Sequence, residues 1–443
     1  MPDRHTRESG VAQLAGPLET LAGWPAGRPL AVLIAEEGRW TLVASPVTAH
    51  AIRSPADLGT LLPPGDGHAP QEAGPPFRTG RIVLLGFQLG AALEPSSGRN
   101  PIGGEPLGWV LDCPGVLAFD SRAGVWARFG QAPDPPEPGP LPTPPARFRV
   151  DPLTSRPGRA GYMGLVDRAR RAIAAGDVYQ VNLAHRLSAR FEGSTRAFFA
   201  ALAREAEPAH GVYAELPDGA AVCSASPELF LSYDASTRRV VTQPMKGTRP
   251  IAGDAEELRR ADKDRAELNM ITDLMRNDLG RVCSFGSVRV ERSREIRAHG
   301  RSVWQATSTV SGVLREGLGA ADLLAASFPP GSVTGTPKIR AMQLIEELEP
   351  TPRGFYCGAL GWVDDSGSMS LNVAIRTAVV TPGPERDLHY HAGAGIVADS
   401  DPESEWEETL AKAEVLRRTV ACGGTPAALG SPALEERGPM PRR

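Results

Sequence analysis

No two cysteines in this chain are spaced as a pair. The five (113, 223, 283, 357 and 422) lie singly through 443 residues, which argues against a zinc site or disulfide framework and fits a reducing cytoplasm. No charge sign dominates either. Forty-eight basic residues face 52 acidic ones, a net −4, so neither nucleic acid nor an anionic membrane surface is an expected partner. Long apolar runs are missing as well: none approaches the roughly 18 residues that cross a bilayer. Met1 to Gly10 is charged and has no apolar segment, unlike a secretory leader. No internal repeat is present. These absences leave a soluble, cytoplasmic globular protein, and its content of 41% hydrophobic and 23% charged residues agrees.

The early chain is β-rich. Leu30-Ala-Val-Leu-Ile34, Trp40-Thr-Leu-Val43, Arg81-Ile-Val-Leu-Leu85 and Gly108-Trp-Val-Leu111 are short β-like runs cut by stretches such as Pro63-Pro-Gly-Asp-Gly67. They predict an antiparallel sheet with long loops over a divergent region, residues 1–130. Residues 131–148 hold Ala132-Pro-Asp-Pro-Pro-Glu-Pro-Gly-Pro-Leu-Pro142 and read as an extended linker. Residues 149–423 have another texture. Helices are expected at 162–175, 195–206, 255–280, 337–348 and from Asp401-Pro402 to Cys422. Strands are expected at 178–183, 212–216, 220–224, 229–233, 282–290, 303–313, 357–363 and 371–380. Residues 424–443, rich in Pro, Gly and Ala, read as a disordered tail. The fold class is therefore α+β, not a regularly alternating parallel sheet.

Several residues stand where chemistry can use them. In Pro244-Met-Lys-Gly-Thr248 a proline fixes the approach and Gly247 supplies backbone freedom, so Lys246 sits on a stiff support. It is either a turn lysine in water or an amine placed to attack in a pocket. Glu267 shares a helical face with Met270, Ile271 and Leu274, and a carboxylate on an apolar stripe needs a cation or strong donors. Arg276, Arg281 or a metal ion would serve. On the last helix Asp401 is an N-cap with Pro402 at the first position, and Glu405, Glu408 and Lys412 share one face beside Trp406, Leu410, Ala413 and Leu416. Alone, these acids are explained by the helix dipole and an i,i+4 pair. Together with Glu267 they form a hard-cation set suited to Mg²⁺, completed by water and a substrate oxyanion. Glu228, between Ser226-Pro227 and the apolar Leu229-Phe-Leu231, is a general acid/base or a turn glutamate. The loop from Phe328 to Arg340 opens a helix with glycines and suits a carboxylate. It is no P-loop, because Lys338 is followed by Ile339. The chain contains no Gly-x-Cys-x-Gly glutaminase segment.

Gly176-Asp-Val-Tyr-Gln-Val-Asn-Leu183, Ser226-Pro-Glu228, Pro244-Met-Lys-Gly-Thr248, Asp262-Lys-Asp-Arg-Ala-Glu267, Asp273-Leu-Met-Arg-Asn-Asp-Leu-Gly-Arg281, Gly331-Ser-Val-Thr-Gly-Thr-Pro-Lys338 and Gly393-Ala-Gly-Ile-Val-Ala-Asp399 occur in one order. That order resembles the chorismate-utilising enzymes over about residues 160–420. The resemblance implies large antiparallel sheets packed as a sandwich with flanking helices, around a site for Mg²⁺ and chorismate. It implies Glu267 and Glu408 as magnesium ligands with Glu405 assisting, and Lys412 and Arg376 as holders of chorismate carboxylates, helped by Tyr356, Thr334 and the backbone at Ala394-Gly395. Glu228 matches the acid acting on the departing C4 hydroxyl. Gln180 stands where the isochorismate and salicylate branches carry a water-activating lysine. Lys246 stands where the aminodeoxychorismate branch has lysine and the anthranilate branch alanine. The expected reaction is amination of chorismate at C4 through a lysine adduct, toward p-aminobenzoate and folate. Ammonia is expected from a separate glutamine amidotransferase subunit. Gln305 stands where many relatives carry a histidine linked to pyruvate elimination, and glutamine is no general acid. The competing expectations are an anthranilate synthase component I and a non-catalytic regulator that binds chorismate or tryptophan.

Overall fold

The computed structural model describes residues 16–24, 27–65, 74–97, 105–134, 147–251, 253–299 and 303–423. Most of the proline-rich linker (135–146) and the 424–443 tail lie outside them. Two large antiparallel sheets, of twelve and ten strands among the described residues, carry the fold.

Strand alternation makes the layers. In Ala31–Ala35, Ala31 and Leu33 pack with Ile82, Leu84 and Trp362 of the second sheet, while Val32 and Ile34 pack with Phe198, Phe199 and Leu202 of the helix Thr195–Ala206. Successive side chains point to opposite faces, and here both faces are covered, so the strand reads as an unbroken apolar run. The helices Arg159–Ala174, Thr195–Ala206 and Pro402–Gly423 pack together against the first sheet. Asp262–Gly280 packs on Met245–Pro250 and Val303–Val313 of the second. Among the described residues no helix is long and apolar enough to cross a membrane.

Four expectations about elements need correction. The early strands do not form one sheet: Ala31–Ala35, Trp40–Ala44, Gly115–Asp120 and Val125–Gly130 extend the first, and Thr48–Ile52, Gly80–Leu85 and Gly108–Cys113 extend the second. The helix expected at 255–280 is two, Ala255–Arg260 and Asp262–Gly280, because Ala261 leaves helical geometry at φ −70°, ψ 101°. The strand expected from 282 begins at Arg289, with only a single bridge from Cys283 to Leu314 before it. The strand expected at 371–380 is also two, Met369–Val373 and Thr377–Val380, and they belong to different sheets.

That last break is half of a paired crossover. Ala221–Ser226 lies in the first sheet and Leu229–Asp234 in the second. The neighbouring chain, running the other way, changes sheets at the same level. Ala225 N–H donates to Arg376 O at 3.0 Å, Val373 N–H to Glu228 O at 3.0 Å, and Ser226 Oγ to Val373 O at 2.6 Å. Glu228 and Arg376 thus occupy the joint between the sheets.

The outer side of Gln180–Gly193 is closed piecemeal. Gly335–Thr336 pairs with its start, Thr154–Arg156 with 186–188, and Phe148–Val150 with its end. Between them side chains complete the ladder: Arg353 donates to Asn182 O at 2.7 Å and Glu349 accepts from Ala184 N–H at 2.9 Å. Arg353 and Glu349 are a buried ion pair, 2.6 Å apart.

Candidate active site

Gln180–Gly193 and Arg386–Ile396 pair so that Asn182 faces Gly395 and Ala184 faces Gly393. Residues opposite one another in an antiparallel pair project from the same face. Two glycines open that face. A Cβ on Gly395 would collide with Gln180 Nε2 and lie 3.1 Å from Lys246 Nζ, and one on Gly393 would lie 2.8 Å from Tyr356 Oη. Removing two side chains lets Gln180, Lys246 and Tyr356 gather over one strand. On the opposite wall Gly247 takes φ +75° and the pairing of Met245–Pro250 with Val303–Val313 shifts register between Lys246 and Thr248. Such a bulge re-aims a side chain.

Lys246 Nζ stands 4.0 Å from Glu267 Oε2. Arg276 and Arg281 are not the partners: Arg276 pairs with Asp273 at 2.7 Å, and Arg281 donates to Ala326 O at 3.0 Å. The fully buried stripe of that helix is Leu268, Ile271, Met275 and Leu279, and Glu267 stands at its edge.

Glu228 is 3% exposed. Burial pushes its carboxyl up to about 7, against the lowering effects of the Ser332 hydroxyl, Lys246, the Met245 N–H and Lys412. Ser332 Oγ donates to its Oε1 at 2.6 Å. A carboxyl poised there exchanges a proton at neutral pH.

Lys412 Nζ donates to Gly393 O at 2.9 Å and pairs with Glu408 at 2.7 Å. Tyr390 Oη donates to Lys412 O at 3.4 Å. Beside Tyr390 lies Arg376, at φ +50°, its pKa lowered by burial and raised back in part by Tyr390. Among the described residues it makes no ion pair, so its guanidinium is available to an anion. Tyr356 is buried, stacks on His391 with centroids 5.2 Å apart, and bonds with Asn182. Ala394 and Gly395 lie on Arg386–Ile396, a strand the sequence reading did not include. Gln180 is 2% exposed and its Oε1 makes no hydrogen bond among the described residues.

Two expected residues are differently employed. Thr334 is fully buried and its hydroxyl donates to Pro330 O at 2.7 Å, so it braces its own loop. Glu405 is buried and accepts from Ser400 Oγ at 2.6 Å. Among the described residues no three His, Cys, Asp or Glu side chains are grouped to hold a metal ion, so Glu267, Glu408 and Glu405 do not form a ligand cluster. Magnesium commonly takes one or two carboxylates with water and substrate oxygens. Glu267 and Glu408 are the two carboxylates that would serve in that mode, each on its own helix and each paired with a lysine. Gln305 is buried in Val303–Val313, with Thr248 opposite, one residue along from the partner of Lys246.

Ser332 is the residue the motifs did not single out. It lies inside the glycine loop, but nothing in its spacing links it to a glutamate 104 positions earlier. A cavity of about 720 Å³ is lined by Tyr179, Met270, Leu274, Met342 and, from the glycine loop, Phe328 and Lys338 among others, and none of Lys246, Glu228, Glu267, Arg376 or Lys412 reaches it.

The model of the family described as chorismate binding enzyme matches residues 52–418. The chain belongs to that family. It is 44% identical over 284 residues to anthranilate synthase component 1 of Streptomyces coelicolor, covering 62% of this chain and 54% of that protein. It is 42% identical over 245 residues to aminodeoxychorismate synthase component 1 of Salmonella typhimurium, covering 54% and 52%. The solved anthranilate synthase component I of Streptococcus pneumoniae superposes with a TM-score of 0.69 at 28% identity, covering 86% of this chain and 92% of that one. The matched segments span 52%, 62% and 54% of three anthranilate synthase components 1, from Aquifex aeolicus, Thermus thermophilus and Streptomyces coelicolor. A menaquinone-specific isochorismate synthase from Escherichia coli has the same fold, TM-score 0.68 at 20% identity.

Proposed function

We propose that this family member is an aminodeoxychorismate synthase component 1, converting chorismate and ammonia to 4-amino-4-deoxychorismate and water. The observation that carries the reading is Lys246, whose amine lies against Gly395 and Gln180 on one side and Glu267 on the other. Arg376 and Lys412 hold the substrate carboxylates from the sheet joint and the last helix. Lys246, once its surplus proton has passed to Glu267, adds through its amine nitrogen to one end of the ring diene, the double bonds shift, and the C4–O bond breaks. Glu228 gives its proton to the departing hydroxyl, which leaves as water. Ammonia then bonds to C4, the double bonds shift back, and the Lys246–ring bond breaks, with the surplus ammonium proton passing to the Glu228 carboxylate. Mg²⁺, when held by Glu267 and Glu408, supplies charge that pins a substrate carboxylate.

Gln180 supports nitrogen over water as the nucleophile, because an amide cannot deprotonate water. Two relatives named component 1 support a separate amidotransferase subunit as the source of ammonia. The test is mass analysis of the product formed from chorismate, Mg²⁺ and an ammonium salt, with glutamine alone giving none. Fluorescent anthranilate as the product would instead establish anthranilate synthase component 1, the second reading, which relatives at similar identity favour. Binding of chorismate without turnover, unchanged in Lys246→Ala, would mark a regulator.

A further inference from the structure

We infer that Ser332 positions the carboxyl of Glu228 and stabilises its charged form at the moment of proton transfer. The contact is Ser332 Oγ to Glu228 Oε1 at 2.6 Å, with both residues buried, 8% and 3% exposed. The proton transfer it serves rests on the chorismate reading above. The contact itself does not.

The loop around Ser332 is pinned on several sides. Thr334 Oγ1 donates to Pro330 O at 2.7 Å, closing the turn beneath it. Gly331 presses on the long helix so closely that a Cβ would lie 2.6 Å from Leu274 Cδ2. Arg353, held by Glu349, donates to Val333 O at 3.2 Å and to Asn182 O at 2.7 Å, tying the loop to the strand that carries Gln180. Ser332 therefore has little freedom to seek another acceptor.

A serine hydroxyl has one hydrogen to donate, and Glu228 receives it. When the acid loses its proton the same bond becomes charge-assisted and strengthens. An interaction stronger after proton donation than before lowers the barrier rather than merely tightening binding. The other groups facing Glu228 are Lys246 from Met245–Pro250, Lys412 from Pro402–Gly423, the Met245 N–H, and the thiol of Cys357 before Ala359–Asp364. Ser332 alone comes from the glycine loop, so it ties that loop to the acid.

The test compares Ser332→Ala and Ser332→Cys, the latter keeping volume and a weak donor, each alone and with Glu228→Gln. In Ser332→Ala, kcat falls by about tenfold to a hundredfold while KM for chorismate moves less than about threefold. The high-pH limb of kcat moves up, since the lost bond favoured the carboxylate, and Ser332→Cys falls between. In the Glu228→Gln background Ser332→Ala adds at most about twofold. A readout free of turnover is the infrared C=O stretch of the buried carboxyl, identified by its loss in Glu228→Gln. Its titration midpoint rises in Ser332→Ala, even if chorismate proves not to be the substrate. An unmoved midpoint in both Ser332 variants, or an equal loss of kcat with and without Glu228, overturns the inference.

Discussion

Lys246 lies 4.0 Å from Glu267 with the two side chains 14% and 16% exposed, whereas Lys412 lies 2.7 Å from Glu408 with 47% and 51%. By distance alone the second pair is the better salt bridge. By environment it is the weaker constraint, since an exposed i,i+4 pair contributes a few tenths of a kcal/mol and is screened by salt. The first joins a strand to a helix out of bulk water, where both charges depend on each other and on whatever enters between them. The short contact follows from local helix geometry, and the longer, drier one is where the proposed reaction places its substrate.

The comparison can be broken by mutation. If Lys246 is the nucleophile, Lys246→Ala lowers amination of chorismate by about 10³-fold or more and abolishes the covalent adduct seen by intact-protein mass spectrometry. Lys412→Met, in contrast, acts mainly through KM, and an equal collapse of kcat in both would erase the distinction. Next in size is Glu228→Gln, expected to cost about 10²- to 10³-fold in kcat. With its carboxyl at about 7, the acid is protonated below that pH, so wild-type kcat falls as pH rises through it, and the limb is absent in the variant. Smaller still, Glu267→Gln and Glu408→Gln each raise the Mg²⁺ concentration giving half-maximal activity, by about tenfold to a hundredfold. A rate indifferent to Mg²⁺ in the wild type would remove the metal from the reading. Smallest is stability: Glu408→Gln changes the free energy of urea unfolding by less than about 0.5 kcal/mol. Arg353→Met, which strands a buried carboxylate, lowers it by about 3–5 kcal/mol.

What the sequence revealed was mostly local. The helix Thr195–Ala206 is legible to its ends because Ser194 accepts from Ala197 N–H and Glu207 turns left-handed at φ +44°. The last helix starts where Asp401-Pro402 indicates, with Asp401 accepting from Ser404 N–H at 2.9 Å. The Glu408–Lys412 pair follows from spacing in the same way. The Lys246–Glu267 pair does not: the cations read from the sequence for Glu267 were Arg276 and Arg281, whereas Lys246 comes from a strand about twenty residues earlier. The break at Ile375-Arg376 was hidden because apolar residues continue through it on both sides, and only the second sheet decides where the chain must leave. Ser332 escaped for the same reason, since hydrogen bonds between distant segments leave no period in the chain.

The patchwork along Gln180–Gly193 has a further consequence. Short strands and one buried ion pair together occupy the outer side of this strand, so it presents no continuous row of amides to a foreign strand. A protein docking near the cleft must grip side chains, because growth of the sheet from this border is already foreclosed.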